Sequence, residues 1–309
     1  MKVVLAGGSG LIGSALAASL LRDGHEVVVL SRSPGGPAGA RVAIWDGKTQ
    51  GGWAQELSGA HAVVNLSGYP VFSRWHARTR ELIVRSRIDS TRAVAEAMAS
   101  AANPPPVWVN FSAVGYYGET GQARVDETAP PGAGFMGETC QAWEDAAQAP
   151  LQGAGARLAI ARMGVVLSRE GGALKPLTLL TKLFLGGHLA DGAHGMSWIH
   201  EEDAVAVVRA AMGLPTGSSE QGEAWEGPYN VTSPHPVSHR EFMATMRKVL
   251  HRPWSPPVPA FALRAASWFG APPADILLEG QYVLPRVAER RGFRFAYPNL
   301  EEALRSLLG

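Results

Sequence analysis

Residues 7–13 combine residue types and a spacing that suit the binding of a dinucleotide. Gly7, Gly10 and Gly13 recur at every third position directly after an apolar run. Gly7 permits a sharp turn, Gly10 lets a pyrophosphate approach the backbone, and Gly13 lets a following helix pack closely. Phosphates then meet free backbone N–H groups and the positive end of the helix dipole. The predicted contacts are Gly7, Ser9, Gly10, Leu11, Ile12 and Gly13.

The residues that follow the second apolar run select among dinucleotides. NAD-selective sites carry an acidic residue about 20 positions after the glycines, where it binds the ribose hydroxyls. Here that position reads Ser31-Arg32. The Arg32 guanidinium and the Ser31 hydroxyl suit an additional phosphate, whereas a carboxylate would repel it. The sequence therefore predicts NADP(H) rather than NAD(H), against the alternative that Arg32 is an ordinary solvated arginine.

The elements that position these residues alternate between strands and helices. This order predicts an α/β fold, a Rossmann-type doubly wound parallel sheet, with a smaller C-terminal lobe. The predicted strands are Lys2–Ala6, Glu26–Leu30, Val42–Trp45, Ala62–Leu66, Val107–Ser112 and Arg157–Met163. The predicted helices between them are Leu11–Arg22, Arg74–Ser100 and Phe135–Gln152.

A change in the sequence pattern near residue 166, from alternating strands and helices to segments interrupted by glycine and proline, predicts a domain boundary there. Residues 1–166 are predicted to form the nucleotide-binding domain and residues 167–309 a Gly/Pro-punctuated lobe that covers the open end of the sheet. Part of 198–232 is expected to return to the first domain, since Pro228–Val231 reads as a strand. Helices are predicted at Glu202–Met212, His239–Leu250 and Pro259–Phe269.

Composition excludes several classes of partner. The chain has 309 residues, 28 basic and 27 acidic side chains and a net charge of +1. That balance predicts no attraction to nucleic acid or to a membrane surface. A single cysteine, Cys140, cannot form an intrachain disulfide, which favours a reducing, cytoplasmic location. No metal site is predicted.

The chain also resembles a known family. The glycine loop and Ser31-Arg32 resemble the extended and atypical short-chain dehydrogenase/reductases, and the chain is most similar to their "epimerase family" subgroup from bacteria and mitochondria. Further motifs carry the resemblance in order: Asn65-Leu66-Ser67-Gly68, Ser86-Arg87, Ser112–Gly118, Ser197-Trp198-Ile199-His200, and a C-terminal portion from Pro253 to Leu304 that resembles the subgroup's uncharacterised C-terminal domain.

This resemblance implies further cofactor contacts. Leu66 and Ser67 stand where the superfamily turns after its fourth strand, so both should border the cofactor's adenine-side ribose and phosphates. Arg87 matches a cofactor-facing arginine of the subgroup, and Val166 should lie near the nicotinamide. The residues alone favour simpler roles, with Leu66 and Val166 in the core and Arg87 in solvent.

The resemblance fails at the catalytic residues. Typical members pair a Ser or Thr with Tyr-x-x-x-Lys, in which the lysine lowers the tyrosine pKa and the phenol transfers a proton. Ser112 fills the first place, but residues 135–144 read Phe-Met-Gly-Glu-Thr-Cys-Gln-Ala-Trp-Glu, with no such pair. Tyr117 or Tyr116 is the predicted substitute acid, with packing as the alternative, and Glu138 is a further candidate.

Two functions follow from these residues. The first is an NADP(H)-dependent oxidoreductase, or an epimerase using transient hydride transfer, that acts on an unidentified small molecule. The second is a sensor that binds NADP(H) without catalysis, which the absent tyrosine and lysine favour. The C-terminal aromatic residues could contact a ring-shaped ligand, but a role in the lobe core or in a homodimer contact is favoured. His200 and Asp203 are expected to be structural.

Overall fold

The computed structural model describes residues 1–148, 155–216, 224–268 and 273–309, and its centre is a seven-stranded parallel sheet. The predicted Rossmann-type α/β class is confirmed. The sheet strands are β1 (Lys2–Ala6), β2 (Glu26–Ser31), β3 (Arg41–Ile44), β4 (Ala62–Asn65), β5 (Val107–Ala113), β7 (Arg157–Met163) and β11 (Gly227–Val231), with the two-residue strand β6 (Arg124–Val125) outside the sheet. Their order is β11-β7-β5-β4-β1-β2-β3.

The strands are apolar on both faces because helices cover the sheet from both sides. Along β1, Val3 and Leu5 enter one core layer, while Val4 and Ala6 enter the other. The first layer includes residues of α1 (Leu11–Arg22) and α5 (Glu201–Ala211). The second includes α2 (Ala77–Ser100), which lies beside α3 (Phe135–Gln148).

One predicted helix start was wrong by a few residues. The long helix begins at Ala77 rather than at Arg74, because the His76 imidazole accepts a hydrogen bond from the Thr79 N–H at 3.2 Å and so caps the helix there. The predicted end at Ser100 is confirmed. The third helix is described to Gln148, and the rest of its predicted range, 149–152, lies outside the described residues.

The C-terminal part adds a separate apolar cluster that joins Leu167, Trp198, Phe242 and Leu304. The predicted helices are present within one or two residues, and residue 269 lies outside the described part. The further helices are α4 (Leu174–Lys182), α6 (His239–Val249), α7 (Ala260–Trp268), α8 (Ala274–Leu278), α9 (Arg286–Arg290) and α10 (Leu300–Leu308). The remaining strands are β8 (Val165–Leu167), β9 (Gly195–Met196), β10 (Trp198–His200), β12 (Val237–Ser238) and β13 (Tyr282–Val283).

Strand β11 pairs in parallel with β7, so residues far along the chain complete the sheet beside the candidate site. The division of the chain near residue 166 stays a prediction. Among the described helices, none combines the length and the apolar character needed to cross a bilayer.

Candidate functional site

The glycine loop connects β1 to α1 and is packed against the turn after β4. Gly7 has φ +76°, and a Cβ built on it would lie 2.9 Å from Ser67 Oγ and 3.0 Å from Ser67 Cα. Its N–H donates to the Leu30 carbonyl at 3.1 Å, which ties the loop to the end of β2 as well. The ends of three neighbouring strands therefore meet at Gly7, where both the backbone conformation and the available space require glycine.

The other two predicted glycines differ in what surrounds them. A Cβ on Gly13 would lie 2.6 Å from Gly8 Cα, so α1 packs directly on the loop. A Cβ on Gly10 would have only the Gly7 carbonyl oxygen nearby, at 3.6 Å, and Gly10 is exposed. Since no side chain of the described residues caps α1, its first N–H groups are available to an anion beside Gly10.

The remaining loop residues lie at the same opening. Ser9 is exposed, and Leu11 and Ile12 are half-buried at the first turn of α1. The turn at Gly172 covers this end of the helix, because a Cβ there would lie 3.2 Å from a Leu11 methyl and 3.4 Å from the Val166 carbonyl oxygen. Val166 itself is a buried core residue. The structure thus brings Val166 close to Leu11, beside the glycine loop.

The end of β2 presents Ser31 and Arg32 differently. Ser31 is buried, and its hydroxyl oxygen accepts from the Ser33 N–H at 3.3 Å. Arg32 is exposed. The guanidinium therefore lies one residue beyond a buried hydroxyl, at the strand that is bonded to Gly7.

A buried amide network shapes the turn after β4. Asn65 Nδ2 donates to Asn110 Oδ1 at 2.9 Å, and Asn65 Oδ1 accepts from the Ser67 N–H at 3.2 Å. Ser67 Oγ is buried and has no hydrogen-bond partner among the described residues. A buried hydroxyl without a partner costs free energy unless a ligand or water satisfies it. Leu66, predicted beside it, packs partly buried against the core.

Arg87 lies against the same turn. A Cβ on Gly68 would be 3.1 Å from Arg87 Cζ, and Arg87 Nη1 donates to the carbonyl oxygens of Tyr69 at 3.1 Å and Ile83 at 2.9 Å. The guanidinium also stacks 5.0 Å from the Trp143 ring centre. Burial lowers the pKa of Arg87. Arg87 is therefore not the solvated helix residue that its position alone suggests.

A second group of polar residues crosses the carboxyl ends of β5, β7 and β11. Ser112, Arg162 and Asn230 are register partners on these strands, so they form one row. The Ser112 hydroxyl donates to Glu144 Oε1 at 2.6 Å, and Arg162 forms a two-pronged ion pair with Glu144 through Nε at 2.9 Å and Nη2 at 2.8 Å. Both partners of the ion pair are buried.

Tyr117 completes this row. Its hydroxyl accepts from Arg162 Nη1 at 3.0 Å and donates to Asn230 Oδ1 at 2.7 Å. Burial raises the pKa of Tyr117 to about 12, against the opposing effect of Arg162. Tyr116 lies with its ring 3.4 Å from the Arg162 Cζ. The structure therefore brings Ser112 and Tyr117 into one network, with both hydroxyls buried and hydrogen-bonded.

Comparison with known proteins identifies the family of this chain. The model of the NAD dependent epimerase/dehydratase family matches residues 3–232, and a domain of unknown function, DUF1731, matches residues 258–307. This chain belongs to the NAD dependent epimerase/dehydratase family.

Similar proteins share nearly the whole length of this family member. Epimerase family protein MT2273 of Mycobacterium tuberculosis is 38% identical over 303 residues, covering 98% of this chain and 96% of the relative. An Arabidopsis thaliana protein named SDR39U1 homolog, chloroplastic, is 36% identical over 318 residues, covering 100% of this chain and 87% of its own. The crystal structure of human epimerase family protein SDR39U1 (isoform2) with NADPH has a TM-score of 0.87 at 33% identity, covering 99% of each chain. The predicted subgroup is confirmed.

In this family member, α3 contains neither tyrosine nor lysine along Phe135–Gln148. Phe135 packs edge-to-face against Trp75, with the ring centres 4.7 Å apart, and the Thr139 hydroxyl donates to the Phe135 carbonyl oxygen at 2.6 Å. Glu138 is exposed on the helix. Cys140 is buried, and burial raises its pKa to about 11. These residues of the described helix pack or bond locally, and the predicted departure from typical members stays a prediction.

Glu144, Arg162 and Asn230 are the residues that the sequence analysis missed. One signal was available, because Arg162 interrupts the apolar run that follows Arg157 in strand β7. A charge within a buried strand requires a partner, but the sequence does not identify that partner.

His200 and Asp203 have the expected structural roles. His200 accepts from the Glu202 N–H at 3.1 Å, and Asp203 accepts from Ala296 and Tyr297 N–H groups at 2.8 and 2.9 Å. The described residues include no group of three or more His, Cys, Asp or Glu placed to hold a metal ion.

Proposed function

We propose that this protein binds NADP(H) across the carboxyl edge of its sheet and uses it to oxidise, reduce or epimerise a small molecule. One observation carries the cofactor proposal. At the uncapped start of α1, Gly10 leaves open space beside the helix amides, and the Ser67 turn packs closely on Gly7 in the same loop. This arrangement suits a pyrophosphate, since backbone N–H groups and the helix dipole both favour an anion.

The surrounding residues fit the rest of a dinucleotide. The unpartnered hydroxyl of Ser67 can bond to a ribose or phosphate oxygen beside Gly7. Arg32 is exposed where the second strand ends and can bind a further phosphate. Ser9, Leu11 and Ile12 border the same opening. The NADPH in the human relative's crystal structure supports the phosphorylated cofactor.

Arg87, Leu66, Ser31 and Val166 take supporting places in this proposal. Arg87 is held against the Gly68 turn by two carbonyl oxygens, which fixes a positive charge behind the Ser67 hydroxyl. Leu66 and Val166 contribute apolar walls, because both pack against the core. The cofactor, when bound, supplies a hydride donor or acceptor.

The preference for the phosphorylated cofactor is tested by calorimetric titration of NADPH and NADH into the wild type and Arg32→Ala. A charge-assisted hydrogen bond contributes about 1.5–3 kcal/mol, so Arg32→Ala should weaken NADPH binding by about 10- to 150-fold and leave NADH nearly unchanged. The matched control is Arg92→Ala, an exposed arginine on α2. Equal weakening of both cofactors would reject the assignment of Arg32.

We further propose that Ser112 and Tyr117 handle the proton that accompanies hydride transfer. Their row ends at the sheet edge where open α/β folds bind ligands. The Tyr117 phenol carries its proton at neutral pH, and burial, which raises its pKa to about 12, keeps it in that form. Loss of substrate-dependent NADPH oxidation in Tyr117→Phe, with cofactor affinity unchanged, would support this role.

An NADP(H) sensor without catalysis is the second candidate, and one observation favours it. The hydroxyls of Ser112 and Tyr117 already donate to Glu144 and Asn230, so neither proton is free for a substrate in this conformation. The discriminating assay follows NADPH fluorescence while a panel of carbonyl compounds and a metabolite extract are added. Tight NADPH binding without oxidation by any addition would favour the sensor.

The location is proposed as a reducing compartment such as the cytoplasm. The single cysteine is buried, so the fold does not depend on oxidation. A fluorescent fusion observed in the source cells tests the location.

A further inference from the structure

The surface formed by the end of α4, the segment before α7 and the first turn of α7 carries large apolar side chains in solvent. We call it the apolar patch, and its members are Leu179, Leu183, Phe184, Leu185, Trp254 and Phe261. Trp254 is 73% exposed and Phe261 is 75% exposed. Exposed apolar groups that are clustered rather than scattered mark an interaction surface.

Contacts between two chain segments make the patch continuous. Val258 N–H donates to the His188 carbonyl oxygen at 2.9 Å, and a Cβ on Gly187 would overlap the Pro256 carbonyl oxygen. Arg252 lies 5.3 Å from the Phe184 ring centre. Residues 183–189 therefore run beside 252–258, which places the exposed side chains of both segments on adjoining surface.

The backbone at Phe184 indicates that this aromatic residue is retained for its side chain. Phe184 follows the end of α4 with φ +64°, a conformation that normally selects glycine or asparagine. Its ring is 55% exposed, so burial in this chain does not offset the strain. Backbone strain of this kind persists at sites where the residue serves an interaction.

Charge identifies the partner. Residues 171–190 contain Lys175 and Lys182 and no acidic residue, and residues 242–274 contain Arg247, Lys248, Arg252 and Arg264 and no acidic residue. Lys248 pairs with Glu301, whereas Lys175 and Lys182 are exposed on the helix that carries the patch. Apolar and aromatic groups beside lysine and arginine are the composition of a surface that lies on an anionic bilayer.

We propose that the apolar patch docks this protein peripherally on an anionic lipid surface. A second copy fits less well, because a two-fold interface would place one basic rim against another. The net charge of +1 does not reveal this surface, since only six of the 28 basic residues lie in these two segments and no acidic residue accompanies them there. The proposal replaces the expectation that no membrane surface is a partner, and it is independent of the cofactor.

The test is co-sedimentation of the full chain with vesicles of phosphatidylcholine alone or of an equimolar mixture with phosphatidylserine. We expect binding to the mixed vesicles, weakening as salt is added. Lys182→Gln should weaken that binding by roughly five-fold, since each basic residue near an anionic surface contributes on the order of that factor. Phe184→Gly should weaken it by at least about ten-fold through the lost apolar contact.

Phe184→Gly also separates binding from folding. Glycine relieves the backbone strain, so its melting temperature should rise while vesicle binding falls. Phe72→Gly is the matched control, because Phe72 is 56% exposed in the segment before α2 and is not a member of the patch. It should bind vesicles as the wild type does.

Three results would overturn the proposal. The first is a wild type that stays in the supernatant with mixed vesicles, and the second is equal loss of binding in Phe72→Gly and Phe184→Gly. The third is a dimer in light scattering that Phe184→Gly abolishes without any vesicle binding, which would assign the patch to a second copy.

Discussion

Replacement of Gly10 by alanine separates cofactor binding from folding. The added Cβ would have its nearest neighbour, the Gly7 carbonyl oxygen, at 3.6 Å, which is ordinary van der Waals contact. The protein should therefore fold, with a cost of about 1 kcal/mol because alanine is less favourable than glycine at a helix N-cap. The same methyl group occupies the open space beside the α1 amides, where the pyrophosphate is proposed to bind.

The expected loss of affinity follows from the hydrogen bonds that the methyl group displaces. A phosphate oxygen held by the loop amides would have to move away, losing at least one bond to a charged group worth about 1.5–3 kcal/mol. This corresponds to roughly 10- to 150-fold weaker binding for NADPH. NADH should weaken by the same factor, because both cofactors contain the pyrophosphate.

Gly13→Ala is the paired variant, and its main effect should be on stability rather than on a direct contact with the cofactor. Its Cβ would meet Gly8 Cα at 2.6 Å and the Gly8 carbonyl carbon at 2.8 Å, both backbone atoms that side-chain rotation cannot move. Overpacking of this kind costs about 1–3 kcal/mol, which lowers the melting temperature by several degrees. Calorimetry of both variants with each cofactor makes the comparison. Wild-type NADPH affinity in a folded Gly10→Ala variant would refute the proposed binding site of the pyrophosphate.

Three further predictions concern the buried titratable groups. Glu144→Gln leaves Arg162 buried without its counter-charge and should lower the free energy of unfolding by about 3–5 kcal/mol in urea titration. A loss under about 1 kcal/mol would contradict the importance of this ion pair. Burial lowers the pKa of His200 to about 4, so below its ordinary value near 6.5 only the unfolded chain takes up the proton and stability falls with acidity. His200→Asn keeps a capping oxygen, and its melting temperature should decline less than the wild type's between neutral pH and about 4; parallel declines would contradict this. Burial raises the pKa of Cys140 to about 11, so thiol reagents at mildly alkaline pH should label it only on unfolding, and rapid labelling of the native protein would contradict its burial.

The features that the sequence predicted well depend on local chemistry. The loop from Gly7 to Gly13 follows a strand and begins a helix within seven positions, so its turn, approach and packing roles can all be assigned without knowledge of the tertiary fold. The strand bounds also followed locally, because runs such as Val27–Leu30 are apolar at every position. The start of the long helix α2 could not be predicted in the same way, because its N-cap is a histidine and not one of the usual capping residues.

The row of Ser112, Arg162 and Asn230 depends on register and strand order, which the sequence does not contain. Asn230 follows Arg162 by 68 positions, and the two become partners only because β11 adds beside β7. Arg87 was similarly ambiguous. Its position on α2 is compatible with solvent, and only the close approach of Gly68 and Trp143 encloses its guanidinium.

The buried ion pair of Glu144 and Arg162 gives this row its significance. A buried pair is often no more stabilising than apolar residues of similar volume, because both charges lose hydration. Stability alone therefore gives a weak reason for placing a charge near the carboxyl end of the largely apolar strand β7. The pair does fix direction, since Glu144 holds the Ser112 hydroxyl and Arg162 holds the Tyr117 hydroxyl at the carboxyl edge of the sheet. An arrangement that orients two hydroxyls beside a proposed cofactor groove is better explained by chemistry at that edge than by packing, and this weighs toward the enzyme over the sensor.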